Sequence, residues 1–227
     1  MASIHDGHRG RMRQEFLARP ESFPDHKLLE MLLFCANPRG DTNPTAHALL
    51  ERFDSLAGIL DAPTEELMKT PGIGEHAATL LKVVKEVSGR YLVGRTDMGK
   101  IVATTKDMCR LLRPYFFGAR NERVFLLCMD GKGKSLGVRK ISEGNANAAE
   151  VTARSVAEAA LILNATRVVL SHNHTSGLAI PSAEDKATTH YLFQVLKAVG
   201  VELVDHLVFV DDDMVSMAES GVEFWRG

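Results

Sequence analysis

The chain has 227 residues, of which 45% are hydrophobic and 25% are charged, and its formal net charge at pH 7 is −2. This composition excludes disordered and fibrous proteins, and the length suits one large or two small domains. The near-zero net charge excludes a uniformly basic nucleic-acid binder. Because no run of about 18 apolar residues and no secretory signal pattern is present, we expect a cytoplasmic protein that does not bind membranes.

Up to about residue 90, apolar residues recur at helical spacing, as in segments 28–33 and 46–53, and no strand pattern is visible. Thr42 or Asn43 before Pro44 indicates a helix start. Glycine and polar residues then interrupt the pattern over 93–99. We therefore predict a small all-helical N-terminal domain over residues 1–95.

From residue 96 onward, short apolar runs alternate with helical segments. The strands are predicted over 124–129, 135–141, 167–171 and 201–210, and the helices over 149–163 and 183–199. This alternation predicts a second domain of the α/β class over residues 96–227. The three cysteines are far apart and sit among apolar residues, so we expect reduced core residues and neither a disulfide nor a cysteine zinc site.

The strongest chemical signal surrounds the end of the predicted strand 167–171. His172 and His174 are two residues apart, and because a strand alternates its side chains between faces, both imidazoles project to the same side. Asp185 falls in the first turn of the next predicted helix, from which its carboxylate can turn back to the strand end. Two imidazoles, one carboxylate and an open fourth position are the ligands of a catalytic zinc site. We therefore predict one zinc ion bound by His172, His174 and Asp185.

The same segment has a second interpretation, in which it only caps a helix. Ser182 precedes Asp185 by three residues, the spacing of an N-cap serine with an acidic residue at the third helical position. Capping explains these two residues but leaves the paired histidines unexplained, so we favour the metal site.

A hydrolytic zinc site also needs a group that accepts a proton from the attacking water and delivers it to the leaving amine. Glu122 stands at the start of the first predicted strand, and Glu143 follows the second. Either carboxylate could serve, and periodicity alone does not rank them.

A second motif lies in residues 67–82, where a helix ends at Pro71, Gly72 and Gly74 allow a tight turn, and a new helix begins. This pattern looks like a helix-hairpin-helix, whose backbone amides suit phosphate oxygens. Lys69 and Lys82 could add contacts to a DNA backbone. The other interpretation is a compact joint between helices, which the charge balance of the segment and Glu75 also fit.

The residues around the metal motif resemble those of the JAMM (MPN+) metalloprotease family. His172-x-His174, seven residues, Ser182, two residues and Asp185 match that motif without a gap. The neighbouring His172-Asn173-His174-x-Ser176-Gly177 and Asp205-His206 look like RadC, the bacterial branch long labelled a DNA repair protein. Similarity to that branch extends over nearly the whole chain, including Gly7-His8-Arg9-x-Arg11, Pro38-Arg39-x-Asp41-Thr42-Asn43 and Pro71-Gly72-Ile73-Gly74. Two departures are Thr175, where the family usually has proline, and Ala148-Ala149-Glu150, where it commonly has Pro-Arg-Glu.

The resemblance implies a JAMM/MPN (cytidine deaminase-like) α/β fold for the second domain, with zinc on His172, His174 and Asp185. It implies that Glu122, rather than Glu143, is the proton acceptor and that Ser182 helps to stabilise the oxyanion. Eukaryotic relatives cleave isopeptide bonds, so the implied activity is zinc-dependent hydrolysis of peptide or isopeptide bonds in a protein or peptide substrate. The alternative hypothesis is a DNA repair or recombination accessory protein that binds DNA through residues 67–82 and has a structural or idle metal site.

Overall fold

The structure is a computed structural model that describes residues 4–38, 40–94, 99–144, 153–175 and 177–222. The chain divides into two compact units, Met1–Arg90 and Tyr91–Gly227. The predicted boundary between residues 95 and 96 falls outside the described residues, so the domain limits stay a prediction.

The N-terminal part consists of helices, and all of them except the first contribute apolar residues to one core. In chain order they are α1 (Ile4–Ala18), α2 (Asp25–Ala36), α3 (Asn43–Phe53), α4 (Leu56–Asp61), α5 (Thr64–Met68) and α6 (Glu75–Gly94), with a 3₁₀ turn at Pro20–Ser22. Leu29 and Leu33 lie one turn apart on α2 and are fully buried with Leu49 of α3 and Leu81 of α6. Residues 4–38 and 40–94 contain no strand, which confirms the predicted all-helical region.

The second unit is an α/β arrangement built on one sheet. Its elements are α7 (Thr105–Leu112), a 3₁₀ turn (Arg113–Phe116), β1 (Glu122–Met129), β2 (Ser135–Gly144), α8 (Ala153–Ile162), β3 (Arg167–Asn173), α9 (Ala183–Ala198), β4 (Glu202–Val210) and β5 (Asp213–Ser216). The described strands form a five-stranded sheet in the order β2-β1-β3-β4-β5. Only the pairing of β3 with β4 is parallel among these strands, and α9 makes the crossover between them. The predicted α/β class is confirmed.

Helices cover both faces of this sheet. On one face, Leu126, Cys128 and Leu170 pack with residues of α8 and α9. On the other face, Leu127 and Val169 pack with residues of α7 and its 3₁₀ extension. Because both faces are buried, β1 and β3 read as continuous apolar runs rather than as alternating patterns.

Several element limits differ from the sequence-based prediction. Strand β3 continues two residues beyond the predicted end at 171, because His172 and Asn173 pair with Val208 and Phe209 of β4. Because these two residues are polar, the apolar pattern that predicts the strand ends before them. Helix α8 is described only from Ala153, and the predicted residues 149–152 lie outside the described part. Helix α7 and strand β5 were not predicted, since each is short.

Two further expectations concern burial. The cysteines are free, but only Cys128 is buried, whereas Cys35 is exposed on α2, so the prediction of three core residues is wrong. Cys35 lies on the solvent side because the apolar face of α2 is used by Leu29 and Leu33. In the described part of the chain, none of the helices combines the length and apolar character needed to cross a bilayer.

Candidate metal centre

Two histidines at the end of β3 project toward one point. His172 is the penultimate residue of the strand, and the backbone N–H of His174 donates to the carbonyl of Phe209 at 2.9 Å. This bond continues the β3–β4 pairing by one residue and holds His174 on the same side as His172. Their Nε2 atoms are 3.0 Å apart.

The third candidate ligand comes from the first turn of α9. Ser182 is the N-cap, and its Oγ accepts a hydrogen bond from the backbone N–H of Asp185 at 3.0 Å. In return, Oδ2 of Asp185 accepts from the backbone N–H of Ser182 at 2.7 Å and from its hydroxyl at 2.6 Å. The predicted capping interaction is therefore present, and it fixes the direction of the carboxylate.

The capped carboxylate also meets both histidines, so capping and convergence occur together. Oδ1 of Asp185 lies 3.2 Å from Nε2 of His172, and Oδ2 lies 3.5 Å from Nε2 of His174. A tetrahedral zinc ion with bonds of 2.0–2.1 Å separates its ligand atoms by about 3.3 Å. The residue types and spacings thus fit a metal ion, and His172, His174 and Asp185 form a group that could hold one.

Burial, neighbouring charges and hydrogen bonds together set the charge of the group. It lowers the pKa of His172 to about 4, an effect opposed by Asp185 and reinforced by His174, so this imidazole is neutral at pH 7 with a lone pair available. Burial raises the pKa of Asp185, but interactions with His172 and the hydrogen bonds from Ser182 outweigh it and hold the pKa below its ordinary value. At neutral pH the site therefore offers a carboxylate and a neutral imidazole, the forms that bind metals.

A layer of buried polar residues lies behind His172. Its Nδ1 is 2.7 Å from Nε2 of His206 on β4, and Nδ1 of His206 is 2.6 Å from the hydroxyl of Thr189 on α9. The Thr189 hydroxyl donates to the backbone carbonyl of Asp185 at 2.5 Å. Burial lowers the pKa of His206 well below its ordinary value, so its ring is neutral as well.

Glu122 is the first residue of β1, and the strand register places it at the same end of the sheet as the histidines. Val124 pairs with His172 in the antiparallel β1–β3 ladder, and paired residues share a face. Glu122 precedes Val124 by two residues and His174 follows His172 by two, so all four residues belong to one face. Glu122 is partly exposed.

The rival carboxylate belongs to the opposite face. Glu143 pairs with Arg123, the residue between Glu122 and Val124. Its carboxylate contacts Nε of Arg123 at 2.8 Å and Nζ of Lys140 at 2.7 Å. The hydrogen bond from Lys140 and the charges of both basic residues outweigh burial and lower the pKa of Glu143. Glu143 is therefore committed to an ion-pair cluster away from the histidines.

The helix-hairpin-helix prediction corresponds to α5, the turn 69–74 and the start of α6. Nζ of Lys69 contacts Oε1 of Glu66 at 2.5 Å, and Nζ of Lys82 donates to the carbonyl of Leu60 at 2.7 Å. Both lysines that could reach a phosphate thus have partners within the first unit. DNA binding through residues 67–82 stays a prediction.

Sequence reasoning named one residue of the buried layer and missed another. Asp205 and His206 are the pair that the resemblance singles out on the last long predicted strand, and the ring that contacts His172 is that of His206. The carboxylate of Asp205 instead accepts from the hydroxyl of Ser216 and from the backbone N–H of Ala218. Thr189 was missed, although it follows Asp185 by four residues and so shares its helix face.

Comparisons with known proteins agree with this architecture. The family model of the RadC-like JAB domain matches residues 102–222. A UPF0758 protein from Xanthomonas campestris pv. campestris (strain 8004) is 34% identical over 216 residues, which cover 93% of this chain and 94% of that protein. A UPF0758 protein from Stenotrophomonas maltophilia (strain R551-3) is 34% identical over 222 residues, covering 96% of this chain and 95% of that protein.

Proposed function

The chain belongs to the family of RadC-like JAB domain proteins, and from this premise we propose that it is a zinc-dependent hydrolase of peptide or isopeptide bonds. The observation that carries the proposal is the convergence of three ligand atoms. The Nε2 atoms of His172 and His174 lie 3.0 Å apart, and the two carboxylate oxygens of Asp185 lie 3.2 Å from the first and 3.5 Å from the second. Three protein ligands leave a fourth position for solvent or substrate, as catalytic zinc sites do.

Zinc held by these residues would supply Lewis-acid polarisation of a carbonyl and would lower the pKa of a water ligand to about 7. The protein supplies the geometry. The side chains of His174 and Asp185 are 21% and 19% exposed, whereas that of His172 is 8% exposed. Substrate and solvent therefore approach from the side of His174 and Asp185.

Glu122 is the proposed proton acceptor. It shares a face and a sheet end with the histidines, and it is partly exposed, so a carboxylate oxygen can exchange protons with a reacting molecule. In this role the carboxylate accepts a proton from the attacking water and donates it to the leaving amine. Asn173 supports this position, since its side chain accepts from the N–H of Arg123 and donates to the carbonyl of Asn121, on either side of Glu122.

Ser182 is the proposed donor to the oxyanion of the tetrahedral intermediate. A hydroxyl has one proton, and that of Ser182 is directed at Oδ2 of Asp185. Donation to an oxyanion therefore requires the hydroxyl to turn away from Asp185. The backbone N–H of Ser182 keeps its own bond to Oδ2 and so retains the carboxylate during that rotation.

The loop that joins His174 to α9 supports a polypeptide substrate. Leu178 and Ile180 are 69% and 60% exposed, while Ala179 between them is buried. Apolar side chains displayed between two metal-ligand positions suit an uncharged peptide better than a phosphodiester backbone. A single-metal ligand set also suits carbonyl attack better than phosphodiester cleavage, which commonly uses two metals.

The proposal is tested with the zinc-loaded full-length protein and a panel of fluorogenic peptides and lysine-linked isopeptides. We expect cleavage that disappears on chelation, returns on zinc addition and is lost in His174→Ala. Cleavage that is unaffected by chelation and by His174→Ala, or no zinc-stimulated cleavage of any panel member, would contradict it.

A further inference from the structure

We infer that Thr189 and His206 are positioning residues that fix His172 in the tautomer whose Nε2 lone pair faces the metal site. The inference rests on the proposed function in that it concerns the same ligand group. It goes beyond that function because neither residue is a ligand or a proton acceptor there. The carrying observation is an unbroken chain of buried contacts from His172 through His206 and Thr189 to the backbone of Asp185.

The donor and acceptor roles along this series of hydrogen bonds are fixed at the carbonyl of Asp185. The oxygen of Asp185 can only accept, so at 2.5 Å the Thr189 hydroxyl must donate to it. That hydroxyl has a single proton and is then an acceptor toward its other close partner. The Sδ atom of Met217, at 3.6 Å, is a weaker and more distant acceptor than the carbonyl and does not compete.

The positions of the protons on His206 and His172 follow from this donation. Nδ1 of His206 lies 2.6 Å from the Thr189 oxygen and must donate to it. A neutral imidazole has one N–H, so Nε2 of His206 accepts, and Nδ1 of His172 at 2.7 Å must be the donor. Nε2 of His172 is then left without a proton, pointing at His174 and Asp185.

The buried contacts of His206 are those of an uncharged ring. Thr189 is fully buried and His206 is 3% exposed. The two ring nitrogens of His206 contact a hydroxyl and an imidazole, and neither of these carries a negative charge. A protonated ring here would be a buried charge without a contacting counter-ion.

This series of hydrogen bonds also connects two candidate metal ligands, His172 and Asp185, to each other. It begins at His172 on β3, crosses β4 and returns to α9 at Asp185, so one series of hydrogen bonds orients the strand ligand against the helix ligand. Hydrogen bonds of this kind behind metal ligands contribute about 10–100-fold to metal affinity.

The test compares Thr189→Val, which keeps the shape of the side chain and removes the hydroxyl, with the control Thr189→Ser, which keeps the hydroxyl. Imidazole ¹⁵N–¹H spectra of the metal-free full-length protein report the tautomer of His172. We expect the Nδ1–H form in wild type and Thr189→Ser, and a mixture with the Nε2–H form in Thr189→Val. We also expect the zinc dissociation constant, measured by competition with a chromophoric chelator, to rise about 10–100-fold in Thr189→Val and to change little in Thr189→Ser.

A second variant, His206→Leu, guards against a local packing effect at Thr189, and thermal melting confirms that each variant is folded. The inference is overturned if folded Thr189→Val and His206→Leu both retain the wild-type tautomer and the wild-type zinc affinity. Failure of the proposed function gives a different result, because zinc-stimulated cleavage of the peptide panel would then be absent while the tautomer and the zinc dissociation constants are still measured. The tautomer spectra would still decide the hydrogen-bond order in that case.

Discussion

At the scale of single residues, the sheet face of a carboxylate decides which chemistry is open to it. Glu122 and Glu143 both stand near the ends of paired strands, but their registers assign them to opposite faces. Glu143 is held by Arg123 and Lys140, whereas Glu122 shares the face of the histidines. Glu143 pairs with Arg123, the residue next to Glu122, and because neighbouring residues of a strand face opposite sides, this shift of one residue is enough to separate the two carboxylates.

The amides of these two glutamates provide a matched comparison. Glu122→Gln removes the proposed proton acceptor without changing the side-chain shape, so we expect zinc-dependent turnover to fall by about 100-fold or more while zinc content is unchanged. Glu143→Gln alters only the ion-pair cluster on the other face, and its turnover should stay within a few-fold of wild type. Equal losses in the two variants, measured as kcat/KM on one cleaved substrate, would refute the assignment of Glu122.

At the scale of elements, the turn between α5 and α6 depends on one glycine. Gly72 has φ of +86°, and a Cβ added there would overlap the hydroxyl of Thr45 on α3. Ile73 beside it is buried in the helical core. The turn is therefore packed against α3, which fits the interpretation as a joint between helices.

Gly72→Ala should lower the free energy of unfolding by about 1–3 kcal/mol, because alanine is strained at positive φ. Gly74→Ala is the control, since Gly74 has no neighbouring atom within 4 Å of an added Cβ and its φ is not positive. Urea denaturation of the full chain measures both. Equal free energies of unfolding for the two alanine variants would contradict the packing of Gly72 against Thr45 at positive φ.

Local sequence patterns predict each pair of site residues within its own element, but they do not predict how the elements meet. The His172 and His174 spacing and the Ser182 and Asp185 spacing each lie within one element, so strand and helix periodicity reveal them. The meeting of the two pairs, and of Thr189 with His206, depends on how α9 crosses from β3 to β4. Periodicity along the chain holds no information about that contact.

At the scale of the whole molecule, the buried histidines make folding dependent on pH. The ordinary pKa of histidine is 6.5, and burial lowers the pKa of His172 to about 4 and that of His206 well below 6.5. As the pH falls below 6.5, the unfolded chain binds protons at these residues that the folded chain does not bind. Stability from both histidines is therefore complete above pH 6.5 and is lost as the pH falls toward 4.

We expect the metal-free protein to be less stable at pH 5.5 than at pH 7.5, with each histidine contributing about 1.4 kcal/mol for each pH unit below 6.5. Urea denaturation in the presence of a chelator measures the difference. His206→Leu removes one of the two groups and should show a smaller pH dependence. An undiminished dependence in that variant would show that His206 does not titrate on unfolding.

The most direct test of the metal centre is the zinc content of the purified chain after loading and removal of excess ion. We predict about one zinc per wild-type chain and none in His174→Ala or Asp185→Ala. Asp107→Ala is the matched control, because Asp107 is the carboxylate of the equivalent capping box on α7 and, among the residues that the structure describes, belongs to no group that could hold a metal ion. This control should retain its zinc, whereas wild-type zinc content in His174→Ala and Asp185→Ala would contradict the account.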